Sequence, residues 1–404
     1  MSTIEPGSVS GEKPSPARLG SIDAYRGFVM FLMMAEVLQI GRVARAFPQS
    51  GFWQLLAHHT DHVEWFGCAL HDLIQPTFSF LVGAALPYSI ASRRAKGQTT
   101  LVMTGHAIWR SLVLIFLGIF LRSTGNRPYL NFVFDDTLTQ IGLGYAFLFL
   151  IGLRSVKFQW TALGVILVGY WAAWALYPRP GPDFDYAKVG VPADWPYHAS
   201  GFAAHWNKNS NLGTAFDQWF MNLFPRQKAF TAHGGGYLTL SFIPTIGTMI
   251  LGLIAGGWCR SELSAKEKLQ RFAIAGVAGL MAGLALHWLG VCPIVKRIWT
   301  PSWTLYSGGL CFLFLAGFYS LVDVWEFRRC AFPLVVIGMN SIAAYCFSHW
   351  IEGFISNSLK TCFGHSWPLV FGTTFEPIMS GAGILLGMWT ILYWMYRRKL
   401  FLRI

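Results

Sequence analysis

The chain has 404 residues, of which 54% are hydrophobic and 12% charged, and carries a formal net charge of +12. A charged fraction about half that of an average soluble protein excludes a soluble globular domain and points to a polytopic membrane protein. The positive balance does not make a nucleic-acid binder, because the Lys and Arg residues sit in short clusters between apolar segments, where they set membrane orientation.

Residues 1–20 (MSTIEPGSVSGEKPSPARLG) are polar and rich in Pro and Ser. They predict a short disordered cytoplasmic tail and not a cleaved signal, since no apolar run precedes Ile22. From 21 to 404 the chain reads as one all-α transmembrane domain. A spanning helix needs about 20 mostly apolar residues, and ten segments qualify: about 22–44, 68–92, 105–123, 137–154, 159–177, 239–258, 271–290, 304–323, 333–352 and 379–397. The basic clusters at Arg93, Arg94 and Lys96, at Lys266, Lys268 and Arg271, at Arg328 and Arg329, and at Arg397, Arg398 and Lys399 all fall on the N-terminal side. The expected topology is therefore N-in and C-in, in the inner membrane. The one long connection, about 178–238, then lies outside, and its Trp, Pro, Gly and Asn content predicts an ordered cap. The seven cysteines show no CxxC or zinc-ligand spacing; only Cys292 and Cys362 fall in predicted outer loops where a disulfide is open to them.

Ionisable residues within apolar segments are functional candidates by default. The first helix opens SIDAYRGF, with Asp23 and Arg26 on one face near the inner surface. Glu36 follows 13 residues later, about 20 Å deeper along a helix. Next, HHTDHVEWFGCALHD crowds His58, His59, Asp61 and His62 together and places His71 and Asp72 at the outer start of the second helix. On a straight helix His62 and Asp72 would stand about 15 Å apart; a turn at Gly67 would bring them closer. Pro76 and Gly83 predict a weakened or bent second helix. Arg110 opens the third helix at the inner face, Asp136 and Gln140 lie at the outer end of the fourth, Asn340 and Ser341 lie about 10 Å in from the inner end of the ninth, and His349 is near its outer end. His58 and His59 read as loop surface, and His106, His287 and His365 as structural.

Two polar zones result. The inner one (Asp23, Arg26, Arg110, Asn340, Ser341) offers guanidinium and amide donors suited to phosphates. The outer one (Glu36, His62, His71, Asp72, His349) is suited to proton transfer. His and Asp are both metal ligands, but the run His58, His59, Asp61 and His62 reads as loop and not as a helical ligand pair, so no metal is expected. Two functions fit: an enzyme that takes an activated group from the cytoplasm and delivers it outside, and a proton-coupled transporter of sugars or acyl-glycans.

ARLGSIDAYRGFVMFLMM, HVEWFGCALHDLIQPTFSFLVGAALPYSIASR, RSLVLIFLGIFLR, DTLTQIGLGYAF, KRIWTPSWTLYSGG, LVDV, GMNSIAAY and the terminal YRRKLFLRI together resemble the heparan-α-glucosaminide N-acetyltransferase family and its bacterial relatives. The resemblance runs through nearly all ten predicted helices, in order. It implies an integral-membrane acyltransferase that uses cytosolic acetyl-CoA to acetylate the amino group of a terminal glucosamine on the opposite side. His62 falls on the family's active-site histidine, ungapped with Trp65, Gly67, Asp72, Pro76, Phe78 and Gly83; Asp23, Arg26 and Asn340 match as well. The resemblance implies His62 as the active-site residue with Asp72 matching beside it, and the outer polar zone adds Glu36 to complete the expected catalytic group. Asp23, Arg26, Arg110, Asn340 and Ser341 would hold the acetyl-CoA, and Gln140, His349 and Trp65 would face the amino sugar or glycan acceptor. Whether His62 carries the acetyl group or only removes the amine's proton stays open; an imidazole that titrates near neutral pH favours the base. Two positions depart from the family: Glu36 stands where Asn is usual, and Thr139-Gln140 where Gln-Arg is usual. The natural acceptor and the oligomeric state, a homodimer included, are not fixed by the sequence.

Overall fold

The structure, a computed structural model, describes residues 19–124 and 130–402. The predicted tail, 1–20, falls outside these but for Leu19 and Gly20, and Gly20 already begins the first helix. Among the described residues the regular structure is all helical, apart from one isolated antiparallel bridge between Phe66 and Val295. The helices are α1 (Gly20–Met34), α2 (Ile40–Ala46), α3 (Gly51–His59), α4 (Ile74–Ala95), α5 (Thr100–Ser123), α6 (Thr137–Gly152), α7 (Val156–Leu176), α8 (Leu212–Phe220), α9 (Phe242–Arg260), α10 (Ala265–Trp288), α11 (Pro301–Tyr319), α12 (Arg328–Met339), α13 (Ser341–Trp350), α14 (Glu352–Phe363) and α15 (Glu376–Arg397). Their starts follow from local chemistry. Thr99, Asp136 and Ser155 cap α5, α6 and α7 through their side chains; a Ser264/Glu267 capping box opens α10; and Thr300 with Pro301 opens α11.

The chain is a multi-pass membrane protein. Seven helices among the described residues are long and apolar enough to cross a bilayer, and two further spans are bent pairs. All ten predicted segments are helical, but not as ten straight spans. The segment expected at 22–44 breaks at Gln39, whose φ of 46° is left-handed, and α2 leaves α1 and its terminal turn at 48°. The segment expected at 333–352 breaks at Asn340, with α12 and α13 bent by 71°. The remaining segment, α6, has 16 residues.

α9 is the central helix: 78% of its apolar window is buried, against 17% for α10, which presents most of its surface outward. α4 packs on α9 backbone to backbone. A Cβ on Gly83, Gly252 or Gly256 would overlap the carbonyl of Met249, Phe80 or Ala84 respectively. Gly83 therefore does not bend α4, as the sequence suggested, but lets it approach α9. Pro76 sits in the first turn, where its missing N–H costs nothing, and α4 runs unbroken from Ile74 to Ala95. Gly252→Ala is expected to force the pair apart, costing about 1–3 kcal/mol and lowering the thermal-unfolding midpoint in detergent.

Residues 178–238 fold over one end of the bundle, which we call the loop end. Their asparagines stitch the segment together. Asn207 bonds both the N–H and the C=O of Ala199, at 2.9 Å each, and Asn209 donates to the carbonyls of Val189 and His233. Beneath them Trp65, Trp174, Trp206 and Tyr170 form one buried aromatic cluster with Cys292 and Val295. Cys292 and Cys362 do not pair: Cys292 is buried against the Ser302 hydroxyl, Cys362 is exposed on α14, and both are free thiols.

Candidate active site

The loop between α3 and α4 is not helical from Asp61 to Leu70. Gly67 takes a φ of 105° that a side chain would strain, and the chain doubles back. The turn brings His62 against Asp72, with Nδ1 2.9 Å from Oδ1, not the 15 Å of a straight helix. Asp72 lies in the 3-10 turn His71–Leu73 that precedes α4 and is fully buried in protein. Its Oδ2 accepts from the Ala69 N–H at 2.9 Å and the Val63 N–H at 3.3 Å. Its Oδ1 faces His62 and, at 3.2 Å, the ammonium of Lys296. Lys296 arrives on the loop before α11. Gly67 N–H donates to the Ile294 carbonyl, and the Phe66–Val295 bridge lays the two loops side by side.

Lys296 Nζ is also 3.0 Å from His62 Nδ1. Burial holds the His62 imidazole below its ordinary range; the bond to Asp72 opposes that shift and the Lys296 charge reinforces it. Burial likewise lowers Lys296, against the pull of Asp72. The Cys68 thiol nearby is pushed up to about 12 by burial, which makes it a poor nucleophile. When the His62 proton sits on Nδ1 and is directed at Asp72, the lone pair is left on Nε2, which has no partner among the described residues.

A cavity of about 880 Å³ opens on this ring. Glu36, His62, His71, Lys296 and His349 line it, together with Arg122, Asp135, Asp136, His233, Tyr237 and Tyr345. Glu36 Oε1 meets His71 Nε2 at 2.9 Å, and the His71 ring lies 4.6 Å from that of His62. Across the cavity Asp136 caps α6, accepts from Arg122 Nε at 2.8 Å and from the Tyr345 hydroxyl at 2.9 Å, and so fixes one wall. The side chain of Arg122 remains about half exposed to the cavity.

Not every candidate gathers here. Gln140 is fully buried and donates to the carbonyls of Phe134, Leu238 and Thr239, clamping two loops together. Trp65 is buried under the cap, edge-on to Trp195. Neither lines the cavity. Asp23 and Arg26 lie 3.5 Å apart on α1, and the Asp23 carbonyl packs on Gly338, two residues before Asn340. Asn340 is fully buried. Its side chain grips the C-terminal segment, donating to Leu400 O at 2.9 Å and accepting from Leu402 N at 3.1 Å. Ser341 begins α13 beside it. Arg110 is not at a helix start: Thr99 caps α5 eleven residues before it, so Arg110 lies mid-helix, bonded to the Tyr145 hydroxyl at 3.2 Å with its guanidinium 4.6 Å over that ring. None of Asp23, Arg26, Arg110, Asn340 or Ser341 lines the cavity.

Sequence reasoning missed Lys296 and Arg122. The signal for Lys296 was present: Lys296 and Arg297 are the only charged residues between Arg271 and Asp323, an isolated cation pair at the mouth of an apolar helix. Arg297 bonds Gly235 O and Val63 O, tying the cap to the His62 loop.

No family model matches the chain. It is 24% identical over 431 residues to heparan-alpha-glucosaminide N-acetyltransferase from Homo sapiens, covering 96% of this chain and 60% of that protein. It is 24% identical over 433 residues to the Mus musculus protein of the same name, covering 97% and 61%. The chain thus spans about three fifths of the length of these relatives. The similarity extends over nearly the whole of this multi-pass helical chain, which is a distant relative of the heparan-α-glucosaminide N-acetyltransferases.

Proposed function

We propose that the protein is a membrane-embedded acyltransferase that moves an acetyl group from acetyl-CoA to the amine of an amino sugar or glycan, with His62 as general base. The observation that carries this reading is the His62–Asp72 pair at the wall of an 880 Å³ cavity, with Nε2 free of protein partners among the described residues. A thioester and an amine need little more than this: a base to take the amine's proton, and donors beside the carbonyl oxygen, for which His71, Tyr237 and Arg122 are candidates. The loop end faces the periplasm in this reading, with both termini in the cytoplasm and the CoA phosphates held near Arg26 and Arg110. Purified protein in detergent, given labelled acetyl-CoA and glucosamine, tests it: labelled N-acetylglucosamine is expected, and none forms if the reading is wrong.

One feature favours a second reading, a sugar or acyl-glycan transporter. Two broken helix pairs, α1–α2 and α12–α13, flank a cavity whose walls include none of Asp23, Arg26, Arg110, Asn340 and Ser341. Acetyl-CoA discriminates between the two, because only the transferase is expected to gain thermal stability from it.

Glu36 would then steady His71 and attract a cationic amine. Its side chain is 57% exposed, so Glu36→Gln is expected to cost at most about 1 kcal/mol, read as up to about a fivefold rise in KM for the amino sugar with kcat little changed.

A further inference from the structure

We infer that Lys296 is a positioning residue that makes His62 a proton shuttle and not a proton store, by fixing a cation against the ring nitrogen that faces Asp72. The inference rests on the acetyl-transfer reading and deepens it. The Lys296 side chain is 6% exposed, with Nζ 3.0 Å from His62 Nδ1 and 3.2 Å from Asp72 Oδ1. A partner for Asp72 alone would not need to touch the imidazole. Its loop is built to put it there: the Thr300 side chain accepts from the Val295 N–H at 3.1 Å, and the Thr300 N–H returns to the Val295 carbonyl, closing a turn around Lys296.

A neutral imidazole has one N–H. On Nδ1 it points at Asp72 Oδ1, to which Lys296 also donates, and the lone pair is left on Nε2. In the reaction the amine nitrogen bonds to the thioester carbonyl carbon, the carbon–sulfur bond breaks, and the amine's proton passes to His62 Nε2. For that moment the ring is a cation 3.0 Å from an ammonium. Like charges at that distance disfavour the protonated ring, so the proton moves on to the leaving thiolate and the products are an amide and free CoA thiol. Of the other charged groups around His62, only His71, ring to ring at 4.6 Å, acts in the same direction, and it ranks behind Lys296. Asp72 attracts the proton; Glu36 acts one ring away through His71; Asp61 bonds the His62 backbone N–H; and the Arg297 guanidinium is spent on Gly235 O, Val63 O and the Tyr237 ring.

Two readouts test this on the full chain in detergent micelles. One is the titration of His62 by NMR of ¹³Cε1-histidine-labelled protein, its signal identified as the one lost in His62→Ala. The other is the acid limb of kcat/KM against pH. A base must be neutral to act, so activity rises with pH through its titration. In Lys296→Met both midpoints are expected to move up by about one pH unit or more, and in Lys296→Arg both stay in place. The inference is overturned if Lys296→Met lowers kcat while both midpoints remain where they are, as a packing role would give. If the wild-type protein transfers no acetyl group, the functional reading fails, yet the NMR midpoint still decides the role of Lys296. Should Lys296→Met not fold, Lys296→Gln, which keeps a donor to Asp72 without the charge, takes the same two tests.

Discussion

His62→Ala is expected to reduce acetyl transfer to glucosamine by about 10²- to 10⁴-fold, the usual contribution of a positioned general base. The ring is about one-third exposed and lies at the cavity wall, so removing it creates no deep void, and the thermal midpoint should change little. That separation of activity from stability is what a catalytic role predicts. Protection from heat by acetyl-CoA should survive the substitution, because the donor's nucleotide would be held elsewhere. Full transfer by His62→Ala in the labelled assay would refute the assignment.

Asp72→Asn is expected to cost both activity and stability. The carboxylate accepts four hydrogen bonds, from Val63 N, Ala69 N, His62 Nδ1 and Lys296 Nζ. An amide has one oxygen and one NH₂. If its oxygen faces the two backbone N–H groups, its NH₂ points at His62 and Lys296, which are themselves donors in the active arrangement. If it flips, the backbone donors are orphaned. In the first case His62 can accept only by moving its proton to Nε2, the tautomer that cannot act as a base toward the cavity, and a rate loss of about 10²- to 10⁴-fold follows. Losing the negative charge also leaves Lys296 buried without a counter-ion, a defect of about 3–5 kcal/mol, visible as a lowered unfolding midpoint. Asp72→Asn/Lys296→Met removes the stranded ammonium and should recover much of the midpoint but none of the activity. Recovery of neither would mean that Asp72 acts only through packing.

The sequence by itself determined the class of molecule and most of its segments. Ten apolar runs of helical length, with few charges, can hide their backbone only as helices in a bilayer, and every one is helical here. It also singled out Glu36, His62, His71 and His349, which do share one cavity, because ionisable groups in apolar surroundings are costly enough to be noticed. The twofold role of glycine was not legible: Gly83 reads as a helix breaker in one dimension and is a close-packing site once α9 lies against it. Nor was the burial of Gln140, in the first turn of α6, and of Trp65, on a loop, since either side chain could face a cavity or a clamp with the same neighbours in sequence. Only the tertiary structure decided that Lys296, 234 residues from His62, is the third member of the group. Hydropathy periods report which face of one helix is buried, whereas a hydrogen bond between two loops depends on where Gly67 turns the chain and on which backbone N–H meets the Ile294 carbonyl, and those distances exist only after folding.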